Sequence, residues 1–536
     1  MKKARELLER YGGRSIALNI QPGIGAEGFR IDDNGITGND ERGLIYGVGK
    51  HLRDPSWRGT SVPEKPLRLI YFASHFHNFY HDAPVDEVCR YVEELALWGC
   101  NGLAVWFDMH HFHGMQDPAA QAMVTRLRAI LTTAESVGMS ATLLGLANEG
   151  FANSRAELRA DFHWKENGYR RDIGAYGVEL CPNKPGGLEL ICESRQQMLD
   201  AFRGLNVGCF TLWPYDQGGC TCAACKPWGA NGYLRAAEAV AKLVRQNYPA
   251  AKTGLSAWYF DKHIDGEWAG LGRAFANGAP AWVDYLLADN PHAFPKYPLE
   301  HGTPGGLPMI SFPEISMVNM WPWGAFGANP RPTRWQNYWN ELGDKLAGIL
   351  PYSEGIYEDL NKVCLLQLAW DSRRSTRDIL REYAAAEFSP AVADEMVELI
   401  FALETAMTDA KDHLSIDHKT IHDVLYGGGW DGFPDQLPRI YVIPANPAAA
   451  STVERLRRVD AQLPAEKRTA WRWRVVFLRA LLGDELQCSA GRPTDKADEY
   501  FEELNRIYHA ENAEWLVAPV SRRALTQRLS VFRKSN

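Results

Sequence analysis

Between residues 67 and 353 the sequence repeats one alternation, a short apolar run followed by an amphipathic helical stretch, and this repeat constrains the fold more than any other feature. Eight runs have strand character: 67–75, 102–108, 140–148, 207–216, 252–260, 281–288, 308–313 and 349–353. Segments 86–98, 118–137, 234–247 and 334–347 between them carry apolar residues at helical spacing. Strands separated by helices pair in parallel, and eight such units close on themselves. The expected fold is therefore α/β, centred on a (β/α)8 TIM barrel. In such a barrel the reactive side chains stand on the loops that follow the strands.

The flanks read differently. Residues 1–62 form a small α/β domain, with a helical start at 4–11, strands at 15–20, 29–31 and 35–37, and a helix at 40–53 whose Leu44, Val48 and Leu52 recur at helical spacing. Pro63 and Pro66 punctuate the chain and open the barrel region, residues 63–372. Residues 373–536 form a C-terminal helical domain with helices at 377–387, 391–410, 451–461, 466–482, 495–510 and 520–532, interrupted by a turn-rich stretch at 427–447. That domain is expected to buttress the barrel or to make a homo-oligomer contact. Its aromatic and glycine-rich loop at 426–433, which includes Trp430, is placed to reach the barrel mouth.

A net charge of −8 and a pI near 6.0 argue against a nucleic-acid partner, which needs a concentrated basic face. The opening MKKARELLERYGG is followed by no apolar segment, and no later run approaches a membrane span, so the chain reads as cytoplasmic and without a membrane. Ten cysteines in a chain of this size then read mostly as reduced packing residues. Cys220, Cys222 and Cys225 stand apart as C-x-C-x-x-C, with Cys181 in another long loop as a candidate fourth thiolate. A closed structural zinc site, a reduced thiol cluster and a disulfide are the three readings of that group. Nothing points to an organic cofactor.

The strand ends deliver carboxylates, histidines and aromatics, a set suited to acid and base work on a polyhydroxylated ligand. Asp216 after the fourth strand and Glu314 after the seventh are the principal catalytic candidates, followed by Glu354 after the eighth and Glu149 after the third. Cleavage of a glycosidic bond needs one protonated carboxyl and one ionised carboxylate facing a common sugar. His75, His77, Asp108, His110, Trp213, Tyr215, Gln217, Trp258, Trp321 and Trp323 are the candidate substrate contacts. Trp offers the flat apolar face that packs on sugar C–H groups. A metal centre on the histidine clusters is a competing reading of HFHNFYH and DMHHFH, without a fixed ligand spacing to support it.

The segment GFRIDDNGITGNDERGLIYGVGKHLR carries Gly38, Asp40, Arg42, Gly43, Tyr46 and Gly47. It resembles the small domain preceding the barrel in family 20 β-N-acetylhexosaminidases and in α-glucuronidases. YSEGIYEDLNK and WPYDQGGCTCAAC look like segments of less characterised relatives. The resemblance implies an exo-acting glycoside hydrolase removing a terminal uronic acid or N-acetylhexosamine from an oligosaccharide or glycoside. In the hexosaminidases an Asp-Glu pair follows strand four, the Glu serving as acid; here the pair is Asp216-Gln217, and an amide cannot donate that proton. The resemblance therefore favours carboxylates on separate strands. A carbohydrate-binding barrel without catalysis, and a metal-dependent hydrolase using the histidines, are the alternatives.

Overall fold

The structure, a computed structural model, describes residues 1–13, 16–74, 78–170, 176–215, 218–289, 294–315, 328–412, 447–489 and 494–509. The N-terminal module places helix Lys2–Arg10, strands β1 (Leu18–Ile20), β2 (Phe29–Asp32) and β3 (Gly35–Gly38), helix Glu41–Arg53 and strand β4 (Gly59–Ser61) around one sheet of order β1-β3-β2-β4. Asp40 caps the second helix, its carboxylate accepting from the Gly43 amide at 2.9 Å and from the Glu27 amide at 2.8 Å. The glycines of this helix exist for close approach: a Cβ on Gly43 would stand 2.1 Å from the Gly28 carbonyl oxygen, and one on Gly49 2.0 Å from that of Leu97. The helix is thus pressed between its own sheet and the helix Val85–Leu97 of the barrel. Glu27 completes the junction, accepting from Arg42 at 2.7 Å and from the buried Arg68 at 2.5 Å.

The barrel strands are β5 (Leu67–Phe72), β6 (Gly102–Trp106), β7 (Ser140–Leu146), β8 (Val207–Trp213), β9 (Lys252–Ser256), β10 (Tyr285–Leu287) and β11 (Met309–Ser311). The eighth is split into β12 (Gly348–Ile349) and β13 (Tyr352–Ser353). Every adjacent pair is parallel, and β12 and β13 pair back onto β5, so the sheet closes. All eight expected strands are present, shorter than the apolar runs suggested because the residues past each strand belong to the rim. Period-two alternation sorts the side chains. Leu69, Tyr71 and Ala73 join a cluster inside the barrel, whereas Ile70 and Phe72 join the larger core under the helices.

Helices Phe79–Asp82, Gly187–Ala201, Glu267–Ala274, Lys296–His301 and Asp359–Trp370 escaped the sequence pattern. The helix Asp359–Trp370 closes the barrel layer; it is buried along its whole length, so it shows no amphipathic stripe. Beyond it lie Thr376–Glu387, Ala393–Asp412, Pro447–Gln462, Ala465–Thr469, Trp471–Cys488 and Asp495–Tyr508. The helix expected at 466–482 is two helices, broken at Ala470, whose ψ of 138° is extended. Buried Arg472 ties this region to the barrel, donating to Asp359 at 2.8 Å and to Glu94 at 2.6 Å. The loop 426–433 with Trp430, and the helix expected at 520–532, lie outside the described residues. Among the described residues no helix is long and apolar enough to cross a membrane.

Candidate active site

The inward positions at the C-terminal ends of the strands are aromatic. Tyr71, Trp106, Trp213 and Tyr352 end β5, β6, β8 and β13, while Trp258 and Phe312 follow β9 and β11, and all belong to the cluster inside the barrel. Trp213 meets Phe312 edge-on at 4.6 Å between centroids, Phe312 meets Trp258 at 5.4 Å, and Tyr71 meets Tyr352 at 5.5 Å. These rings make an apolar floor at the barrel mouth. A charge placed above it is poorly solvated, which raises the energy of ionised carboxyls.

Three carboxyls at this floor live in different surroundings. Glu149, just past β7, is fully buried and accepts from the Trp106 indole at 3.2 Å and from Arg195 at 3.2 Å; His110 Nδ1 lies 3.3 Å from it. Burial alone would raise its pKa, but His110 and the Arg195 charge outweigh that cost and hold it below the usual glutamate value. Glu354, just past β13, sits among phenols: Tyr352 donates to it at 2.8 Å and Tyr357 at 3.4 Å. Burial, with the charge of Glu358 adding and the two phenols opposing, pushes its pKa up to about 8. Glu314 follows β11 and bridges to Tyr352 in parallel register. Glu354 lies two residues further along and one strand over, which sets the two backbones roughly 8 Å apart. The partly buried Arg334 guanidinium faces Glu314 and Asp289.

The turn holding Glu354 is anchored beneath. Tyr80 donates to the Gly355 carbonyl at 2.9 Å and shares a 2.5 Å hydrogen bond with Ser353. Buried Lys362 donates to the same carbonyl at 2.5 Å and to the hydroxyls of Tyr80 and Tyr91 at 2.9 Å each. Its own pKa is lowered to about 8, chiefly by burial. Glu354 and Glu358 are also joined directly, the Glu354 amide donating to Glu358 at 3.1 Å.

Asp108, Glu149 and Glu354 all bear on one phenol, Tyr71, whose pKa is raised first by burial and then by their charges. Carboxylates that follow strands two, three and eight thus act electrostatically on one ring. His110 stacks on Tyr176 at 3.4 Å between centroids, and His111 Nδ1 lies 2.5 Å from Asp108. Donor atoms of Asp108, His110 and His111 lie within 4.8 Å of one another, although each histidine already spends Nδ1 on a carboxylate. Trp213 and Trp258 are buried in the aromatic cluster inside the barrel. Tyr215 is not part of it: it is fully buried in the outer core and donates to Glu267 at 2.6 Å, so it braces the loop after β9 instead. His75, His77, Asp216, Gln217, Trp321 and Trp323 lie outside the described residues. Cys181, Cys220, Cys222 and Cys225 come together, all sulfurs within 4.8 Å.

Sequence reading missed several builders of this site. Arg195 sits mid-helix in Gly187–Ala201, and Tyr176 in a loop without pattern; only their contacts mark them. Tyr352 and Tyr357 flank Glu354 in PYSEGIYED, and that local run of phenols around a carboxyl was a readable signal.

No protein-family model matches the chain, and no curated protein matches it. Solved structures do. A GH115 4-O-methyl-α-glucuronidase with specificity for decorated arabinogalactans superposes with a TM-score of 0.57 at 10% identity, covering 95% of this chain and 70% of that one. A family 89 glycoside hydrolase from Clostridium perfringens, solved with its substrate GlcNAc-α-1,4-galactose, gives 0.59 at 13% identity over 94% of this chain and 63% of its own. A GH138 enzyme targeting pectin rhamnogalacturonan II gives 0.56 at 12% identity over 95% and 69%. The chain thus spans about two thirds of the length of these neighbours. The shared fold is the (β/α)8 barrel of these glycoside hydrolases.

Proposed function

We propose that the chain is an exo-acting glycoside hydrolase that removes a terminal sugar, with Glu354 as the proton-bearing carboxyl and Glu314 as the ionised carboxylate on the neighbouring strand. The observation that carries this reading is the setting of Glu354, a carboxyl kept protonated near neutral pH among phenols above an aromatic floor. A general acid needs that poise, and the aromatic floor supplies the stacking surface for a pyranose. Asp216, next in sequence after the fourth strand's apolar run, is retained as a second acid candidate. Glu149 is assigned to orienting His110, since its oxygens are already taken by Trp106, Arg195 and His110. One neighbour's name as a 4-O-methyl-α-glucuronidase and another's substrate, GlcNAc-α-1,4-galactose, define the sugar classes to try.

The test is turnover of aryl uronides and aryl N-acetylhexosaminides, in both anomeric forms, by the wild type and by Glu354→Gln, Glu314→Gln and Asp216→Asn, with circular dichroism as folding control. Turnover lost in Glu354→Gln and Glu314→Gln supports the pair. Loss in Asp216→Asn with Glu354→Gln active moves the acid to Asp216. Binding of these sugars without turnover by the wild type would establish the carbohydrate-binding barrel instead.

A further inference from the structure

The loop that leaves β7 runs from residue 147 to the helix starting at Gly187, and the loop that leaves β8 runs from 214 to the helix starting at Gly232; their described residues hold short 3-10 turns and one isolated bridge, Arg159 to Leu180. Stretches this long need something other than backbone ladders to hold one shape. We propose that Cys181, Cys220, Cys222 and Cys225 bind one divalent cation, zinc by ligand chemistry, in a closed site that fastens these two loops together over the barrel mouth.

The geometry points to it directly. Four thiolates around zinc at ~2.3 Å form a tetrahedron whose edges are about 3.8 Å. Cys181 lies 3.8 Å from Cys222 and 3.7 Å from Cys225, with all four sulfurs inside 4.8 Å. A disulfide would require about 2.05 Å between two of them. The surroundings are those of coordinated thiolates, which take N–H donors: the Asp161 amide donates to Cys220 at 3.3 Å and the Asn183 amide group to Cys225 at 3.1 Å. Cys181, Cys220 and Cys225 are buried, so four uncompensated thiolates could not persist there, while a dication neutralises half the charge and closes every position. A filled four-sulfur shell leaves no place for water or substrate, which assigns the metal to architecture.

What it would hold is the rim. Asn148, at the end of β7 and next to Glu149, donates to the Leu180 and Gly219 carbonyls at 2.9 Å each and accepts from the Gly219 amide at 3.2 Å. Its side chain thus bridges the residue before Cys181 and the residue before Cys220. Glu179 accepts from the Tyr176 and Gly177 amides at 2.8 and 3.1 Å, and Tyr176 stacks on His110. The metal would therefore set Tyr176 and His110 through a few short bonds.

The experiment is metal analysis of the full chain purified under reducing, chelator-free conditions, together with cobalt substitution and thiol titration. One zinc per chain, an intense thiolate-to-cobalt charge-transfer band, and loss of both in Cys220→Ser and Cys225→Ser are expected. Hydrogen exchange should then rise in 176–186 and 218–226 of the variants and stay unchanged in β5 and β6. Less than about half an equivalent of metal with ten thiols reacting freely overturns the proposal in favour of a reduced cluster, and eight thiols in the denatured, unreduced chain overturn it in favour of a disulfide. Because none of these readouts is catalytic, their outcome is independent of whether the chain cleaves glycosides.

Discussion

At the N-terminal end of the barrel Glu382 receives Arg53 at 2.8 Å, Arg374 at 2.8 Å and Lys50 at 3.1 Å, whereas at the opposite rim Glu354 meets two tyrosine hydroxyls and a second carboxylate. Burial works against ionisation in both places. Three cations overcome it at Glu382 and hold its pKa near 2; at Glu354 two phenol hydrogen bonds offset burial only in part, the Glu358 charge adds to it, and the value rises to about 8. One residue type at the two ends thus serves two purposes. The closed end uses carboxylates as fully paired fasteners between the N-terminal module and the helical region. The open end leaves a carboxyl with its proton, which costs stability at high pH and suits the acid role proposed for it. Glu149 shows that position on the rim is insufficient, because His110 and Arg195 together make it behave like a fastener.

The comparison breaks most visibly if the two glutamates are exchanged for glutamine. Glu354→Gln should lower kcat by about 10²- to 10⁴-fold, the contribution of a positioned acid. Its denaturation midpoint should barely move, since an amide mimics the protonated carboxyl in shape and charge. Glu382→Gln should do the reverse, leaving turnover intact while costing about 3 kcal/mol, because three neighbouring cations lose their counter-charge. Parallel denaturant titrations and kinetics on the two variants decide it. Similar stability losses in both would mean that Glu354 is a fastener too.

The next effect is on pH. Glu354 and Glu267 carry pKa values raised from 4.5 to about 8, Glu267 again chiefly by burial. Between pH 4.5 and 8 the folded chain therefore binds more protons than the unfolded one, and stability should fall as pH rises through that window. Activity should decline along a basic limb near pH 8. Glu354→Gln and Glu267→Gln should each flatten the stability slope over this range. A slope unchanged in both variants would contradict the assignment of raised values to these two groups.

The smallest effect sharpens the comparison. Tyr352 donates a hydrogen bond that favours the ionised form of Glu354. Tyr352→Phe should therefore move the basic limb of kcat/KM upward in pH while leaving much of the turnover. A downward move would mean that the phenol stabilises the protonated form, and the electrostatic account of the rim would need rebuilding.

How much of this was open to inspection in the chain itself varies with the physics involved. The eight βα units were legible because strands buried on both faces and amphipathic helices write their periods into consecutive residues. The C-x-C-x-x-C spacing was legible for the same local reason, and only Cys181 had to be brought from a distance. The helix Asp359–Trp370 was not, since burial on every side erases the stripe that marks a helix. Glu149 and Glu354 were both found as residues at strand ends, yet their difference was invisible. It depends on His110 and Arg195, 39 and 46 positions from Glu149, and on the phenols that fold over Glu354. Tyr215 was misplaced because a residue at a strand end faces either the mouth or the outer core according to parity and local twist, which only the closed barrel settles. Periodicity and spacing are properties of neighbours along the chain, and these the sequence determined by itself. The charge state of a carboxyl is a property of neighbours in space, set by desolvation and by which cations the fold brings or withholds, and that the tertiary structure alone decided.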